Sequence, residues 1–134
     1  MKLLAYEVDK RSFLGVLNED ETWVYPVSAA GMEYRSMKDL IREAGPSEME
    51  MLDYISKKAP GDVMGAAPVD EIRVVSPIAE PDQDIICLGI NYMDHAEESA
   101  RFEKRAFEKP EKAIYFSKRV NRTNDPDGII PAHK

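Results

Sequence analysis

Two apolar runs separated by a short polar break constrain this chain more than any other feature. Ser12 to Leu17 and Thr22 to Val27 flank Asn18-Glu19-Asp20-Glu21. Each run is too short for a helix, and Trp23, Tyr25 and Val27 alternate with Val24 and Pro26. Alternation with a four-residue connection predicts a β-hairpin. Pro26 belongs at an edge or a strand end, because proline removes a ladder donor. Lys2 to Tyr6 supplies a further strand, so the amino-terminal part is β-rich.

Two short helices follow. Ser36 caps the first, with Asp39 as its partner, and Leu40, Ile41 and Ala44 give it apolar contacts before Gly45-Pro46 stops it. Ser47 with Glu50 repeats the start signal, and Met51, Leu52 and Ile55 form the next apolar face, ending near Lys57 to Gly61. Prolines at 60, 68, 77 and 81 then punctuate the chain, with Ile72 to Val75 extended between them. The predicted organisation is a small β-rich module over 1–70, a linker over 71–83, and a second domain from 84 to 134. In that second part Ile85 to Leu88 reads as a strand buried on both faces, Asp94 to Phe107 as a helix, and Ala113 to Phe116 as a strand. Asn124 to Gly128 reads as a turn, followed by the short apolar Ile129-Ile130-Pro131. The fold class is mainly β with short helices, α+β.

Charge excludes some functions. Of 134 residues 25 are acidic and 18 basic, a net charge of -7, and no basic stripe stands out. Nucleic acid is therefore not an expected partner. No run reaches the roughly 18 apolar residues that span a bilayer, and Met1 to Glu7 turns acidic too early for a signal peptide. The single cysteine, Cys87, builds neither an internal disulfide nor a thiolate metal site, and inside an apolar run it serves as a small hydrophobe. A reducing cytoplasm is the expected compartment.

The chemistry lies near the strand ends. Ile86-Cys87-Leu88-Gly89 is followed by a polar stretch carrying His95 and Glu98. On a helix these two share a side. Glu98 can then orient one imidazole nitrogen and favour its charged form, leaving the other to act as general base. The same spacing also serves a plain helix surface. Lys118 closes the run Ala113 to Phe116. Its ammonium suits a substrate carboxylate or a developing enolate, and equally an ordinary surface position. Asp82, Asp84, Asp94, Asp125 and Asp127 are scattered, whereas a hard divalent ion needs oxygen ligands that converge. No metal ligand is assigned among them.

These residues carry a resemblance. Leu88-Gly89-Ile90-Asn91-Tyr92-Met93-Asp94-His95-Ala96-Glu97-Glu98 resembles the Gly-x-Asn-Tyr-x-x-His-x-x-Glu signature of the fumarylacetoacetate hydrolase family. Lys109 to Lys118 is similar to that family's next block, and Asp125 to Pro131 to the segment leading to its metal-binding strand. The specific part covers residues 86 to 131. The resemblance implies a small β-rich amino-terminal module, then the start of a mixed β-sandwich roll, and a homodimer formed through the larger domain. It implies an enzyme acting on a small 2-oxo acid or its enol. The reaction would be hydrolysis of a carbon–carbon bond in an acylpyruvate-like substrate, or isomerisation or decarboxylation of a 2-hydroxy-dienedioate or β-keto acid.

By the same resemblance His95 and Glu98 match a water-activating dyad and Lys118 the lysine facing the substrate. The cofactor implied is Mg2+, or Mn2+ or Ca2+, held by a Glu-x-Glu pair and a later aspartate expected beyond Lys134. Two departures stand out. Ile90 occupies a position where many acylpyruvase-like members have arginine, and Leu88-Gly89 offers no aspartate ahead of the histidine. The first implies one carboxylate contact fewer; the second departs from fumarylacetoacetases proper, which use that aspartate as a metal ligand, and points to the smaller bacterial-type members. A second domain of about fifty residues is too small for a self-sufficient core. The expectation is a chain that continues past Lys134 and is inactive without the continuation. The competing class is a non-catalytic dimerisation or scaffold module on the same fold.

Overall fold

A tight turn at Asp9-Lys10 starts the sheet. Both residues have positive φ, 49° and 64°, which matches the twist of a two-residue hairpin. It joins β1 (Leu3–Val8) to β2 (Arg11–Leu17) in antiparallel register from Leu3 opposite Val16 to Val8 opposite Arg11. The expected second hairpin is present between β2 and β3 (Trp23–Pro26). The Asn18 backbone N–H donates to the Trp23 carbonyl at 3.0 Å, and the Trp23 N–H donates to Asn18 Oδ1 at 3.0 Å. Asp20 Oδ1 accepts from both the Thr22 N–H and the Thr22 hydroxyl. These bonds, the hydroxyl first, hold the Asp20 carboxyl below its usual range.

The computed structural model describes residues 1–89, 101, 112–130 and 132. The architecture is mainly β with two short helices. Two further strands, β4 (Ala67–Pro68) and β5 (Arg73–Val75), complete a five-stranded antiparallel sheet in the order β4-β3-β2-β1-β5. Pro26 ends β3 beyond its pairing with β4, so its missing N–H leaves no gap in that ladder.

Helix α1 (Met37–Glu43) begins as its sequence implies. Ser36 Oγ accepts the Asp39 N–H at 3.2 Å and donates to the Asp39 carboxylate at 2.9 Å. Helix α2 (Pro46–Ser56) begins one residue before the expected Ser47, with Gly45 rather than Ser47 as its cap. Pro46 takes the first helical position, where its lack of an N–H costs nothing, and Glu48 accepts the Gly45 N–H at 3.1 Å. Leu40, Leu52 and Ile55 are buried as expected. Ile41 and Met51 are not: they are 62% and 44% exposed. Each adjoins a buried leucine in sequence, and on a helix successive residues point about 100° apart, so one face cannot bury both.

The sheet carries a core cluster on each side of its pleat. One joins Val16, Tyr25 and Val27 to Met37, Leu40, Leu52, Ile55 and Val63. The other gathers Leu4, Tyr6 and Val24. The adjacent pair Val24 and Tyr25, both fully buried, thus serves opposite clusters. Gly15 makes the second cluster possible. A Cβ there would collide with Val24 Cγ2 and stand 2.8 Å from Tyr6 Cε1.

The chain divides into two units, one made of 1–79 with 123–134, the other of 80–122. In the second, β6 (Ile85–Gly89) pairs antiparallel with β7 (Ile114–Lys118). The expectation of a strand buried on both faces is corrected. Ile85, Ile86 and Leu88 are 41%, 75% and 46% exposed. A continuous apolar run signals burial only where a layer covers it, and a two-stranded ribbon covers neither of its own faces. Of the expected helix over Asp94 to Phe107 only Arg101, which is helical, is described. The turn at Asn124 to Gly128 is present, closed by the Gly128 N–H on the Asp125 carbonyl at 3.0 Å.

Gly15 and Gly61 provide a matched test of this packing. Gly15→Ala should destabilise the protein by about 1–3 kcal/mol through overpacking. Gly61→Ala meets nothing within 4 Å and should be neutral or stabilising by about 0.4–1 kcal/mol. Urea unfolding of both variants checks this, and equal midpoints would contradict the packing described.

Candidate functional site

Lys118 is the last residue of β7 and stands opposite Ile85, the first of β6. Cross-strand partners project to the same side of a ladder, and so do residues two apart. Lys118 therefore shares a face with Phe116, Ile114, Ile85, Cys87 and Gly89. Its Nζ lies 5.8 Å from the Phe116 ring centroid, within range of a weak cation–π attraction. The result is one ammonium at the rim of an apolar strip whose Ile85, Ile114 and Phe116 are 41–45% exposed. An amine so placed can meet an anionic oxygen while the apolar strip takes the carbon skeleton beside it.

His95 and Glu98 lie outside the described residues. The sequence reading of that pair as a base and its orienting carboxylate rests on the motif alone. Cys87 is half-buried, with Sγ 3.9 Å from the Ile85 carbonyl.

Of the scattered aspartates, Asp125 has a different task. Its Oδ2 pairs with Arg73 Nη2 at 2.7 Å, and its Oδ1 accepts the Ser76 N–H at 2.9 Å. Arg73 also reaches Glu7 across the β1–β5 pair at 2.7 Å. Among the described residues no three His, Cys, Asp or Glu side chains are grouped to hold a metal ion. Those residues offer no converging oxygen ligands for a hard divalent cation. Also among the described residues, no helix is long and apolar enough to cross a membrane.

No family model matches the chain. The sequence is similar to the oxaloacetate tautomerase YisK of Bacillus subtilis (strain 168), at 26% identity over 144 residues. The match covers 100% of this chain and 46% of that protein. The chain thus spans about half the length of the curated relative it matches. The relationship is distant.

Lys118 is an exposed side chain. Lys118→Ala should therefore leave stability within about 0.5 kcal/mol of wild type. A urea titration showing a loss of several times that would mean Lys118 holds the strand pair together rather than serving a ligand.

Proposed function

We propose that the whole protein is an enzyme acting on small 2-oxo acids or their enols, with keto–enol conversion of oxaloacetate as the leading reaction. The observation carrying this reading is the likeness to an oxaloacetate tautomerase along the entire chain. The Gly89 to Glu98 motif and the placement of Lys118 at a strand end agree with it.

In this proposal His95 removes a proton from C3 of the keto acid. The C3–H electron pair becomes the C2–C3 double bond, and the C2 carbonyl pair moves onto oxygen, which takes up a proton from water while the imidazolium returns its own proton to water. Glu98 orients the imidazole and balances its charge while it holds the proton. Lys118 offsets the negative charge that develops on the oxygen. The same residues would serve hydrolysis of an acylpyruvate if His95 took its proton from water instead. In the whole protein we propose a Mg2+, Mn2+ or Ca2+ ion and a homodimer.

Steady-state kinetics on the full gene product test the assignment. His95→Ala should lower kcat on oxaloacetate by roughly 10²–10⁴ with folding intact, the usual contribution of a positioned acid–base group. Glu98→Gln should lower it less if orientation is its main task. A folded His95→Ala variant with near-normal kcat on both oxaloacetate and an acylpyruvate would remove the dyad from the mechanism.

A further inference from the structure

The two ends of the 80–122 segment meet at one hydrogen-bonded point. The Thr123 N–H donates to the Ala79 carbonyl at 2.8 Å. The Thr123 hydroxyl donates to the Ile78 carbonyl at 2.8 Å and contacts Ser76 Oγ. A hydroxyl has one proton, so Ser76 Oγ must be the donor in that last contact. Asp125 then adds the Ser76 N–H to Oδ1 and Arg73 to Oδ2.

We propose that Thr123 and Asp125 form a clasp that joins both ends of the 80–122 segment to the β5 edge of the first sheet, as a local device separate from the core. Three features support it. The clasp uses residues 44–52 positions apart in sequence, so it closes a loop of about forty residues, a closure whose entropic cost needs specific contacts to offset it. It takes no member of either core cluster, although Ile78 borders one. Its ion pair is the minor part: the Arg73 side chain is 62% exposed, and solvent screens such a pair. The weight therefore falls on the Thr123 hydroxyl and on the Ser76 amide. His95, Glu98 and Lys118 all lie between the joined ends in sequence.

Hydrogen exchange on the full chain, read by mass spectrometry, tests the clasp. Thr123→Val keeps the side-chain shape and removes the hydroxyl. Exchange in peptides covering 70–82 and 119–130 should rise about tenfold, as expected for loss of a hydrogen bond or two. Peptides over 14–27 should be unchanged. Thr123→Ser should restore protection, and Asp125→Asn, which retains an acceptor for the Ser76 N–H, should give a smaller rise than Thr123→Val. Unchanged exchange in both end peptides would overturn the proposal. So would an equal rise in 14–27, because the contact would then be one part of the global fold rather than a local clasp.

Discussion

Complete burial of the Tyr25 ring, with its hydroxyl donated to the Lys58 carbonyl at 2.7 Å, is the interaction on which the first unit depends. The ring comes from β3, and the carbonyl lies just past the end of α2. One side chain thus fills the core with apolar area and ties a strand to the exit of a helix. A buried hydroxyl without a partner would cost about 1–3 kcal/mol, so the position of Lys58 is specified as well as permitted. Burial, then the Asp20 and Asp62 carboxylates, push the phenol above its usual range. The neutral donor form is the one the fold holds.

The sheet behind Tyr25 works because neighbouring residues divide its two faces. Val16 and Tyr25 meet Leu40 and Leu52 in one cluster, while Val24 and Tyr6 fill the other over Gly15. The second unit follows a different logic. Its described ribbon pairs every residue of β6 with one of β7 yet leaves Ile86 and Tyr115 75% and 66% exposed. Backbone pairing sets the register, and the apolar side chains add little while water still reaches them.

Much of the first unit was legible in the sequence because its signals are local. The Asn18 to Glu21 break, the Ser36–Asp39 cap and the Asn124 to Gly128 turn each depend on residues a few positions apart. The Asp9-Lys10 turn was not legible, since neither residue is the glycine or asparagine that usually marks it. Nor was the role of Asp125, whose partners Arg73 and Ser76 are 52 and 49 positions away. A carboxylate in a turn carries no local sign of such partners. At the candidate site, the apolar run before Lys118 was enough to put that lysine at a strand end. The same run gave a false expectation of burial for β6, because period and composition do not reveal whether a covering layer exists.

The proposed reaction sets a neutral imidazole as base at one carbon of a 2-oxo acid, with an ammonium beside the developing oxygen charge. Deuterium wash-in at C3 of oxaloacetate, followed by NMR with the full gene product in D2O, measures that step directly. Proton removal by His95 should give exchange faster than the uncatalysed rate and confined to one of the two C3 hydrogens, because a fixed base reaches one face of the substrate. Exchange at the uncatalysed rate, or equal labelling of both positions, with folded protein and saturating substrate would contradict it.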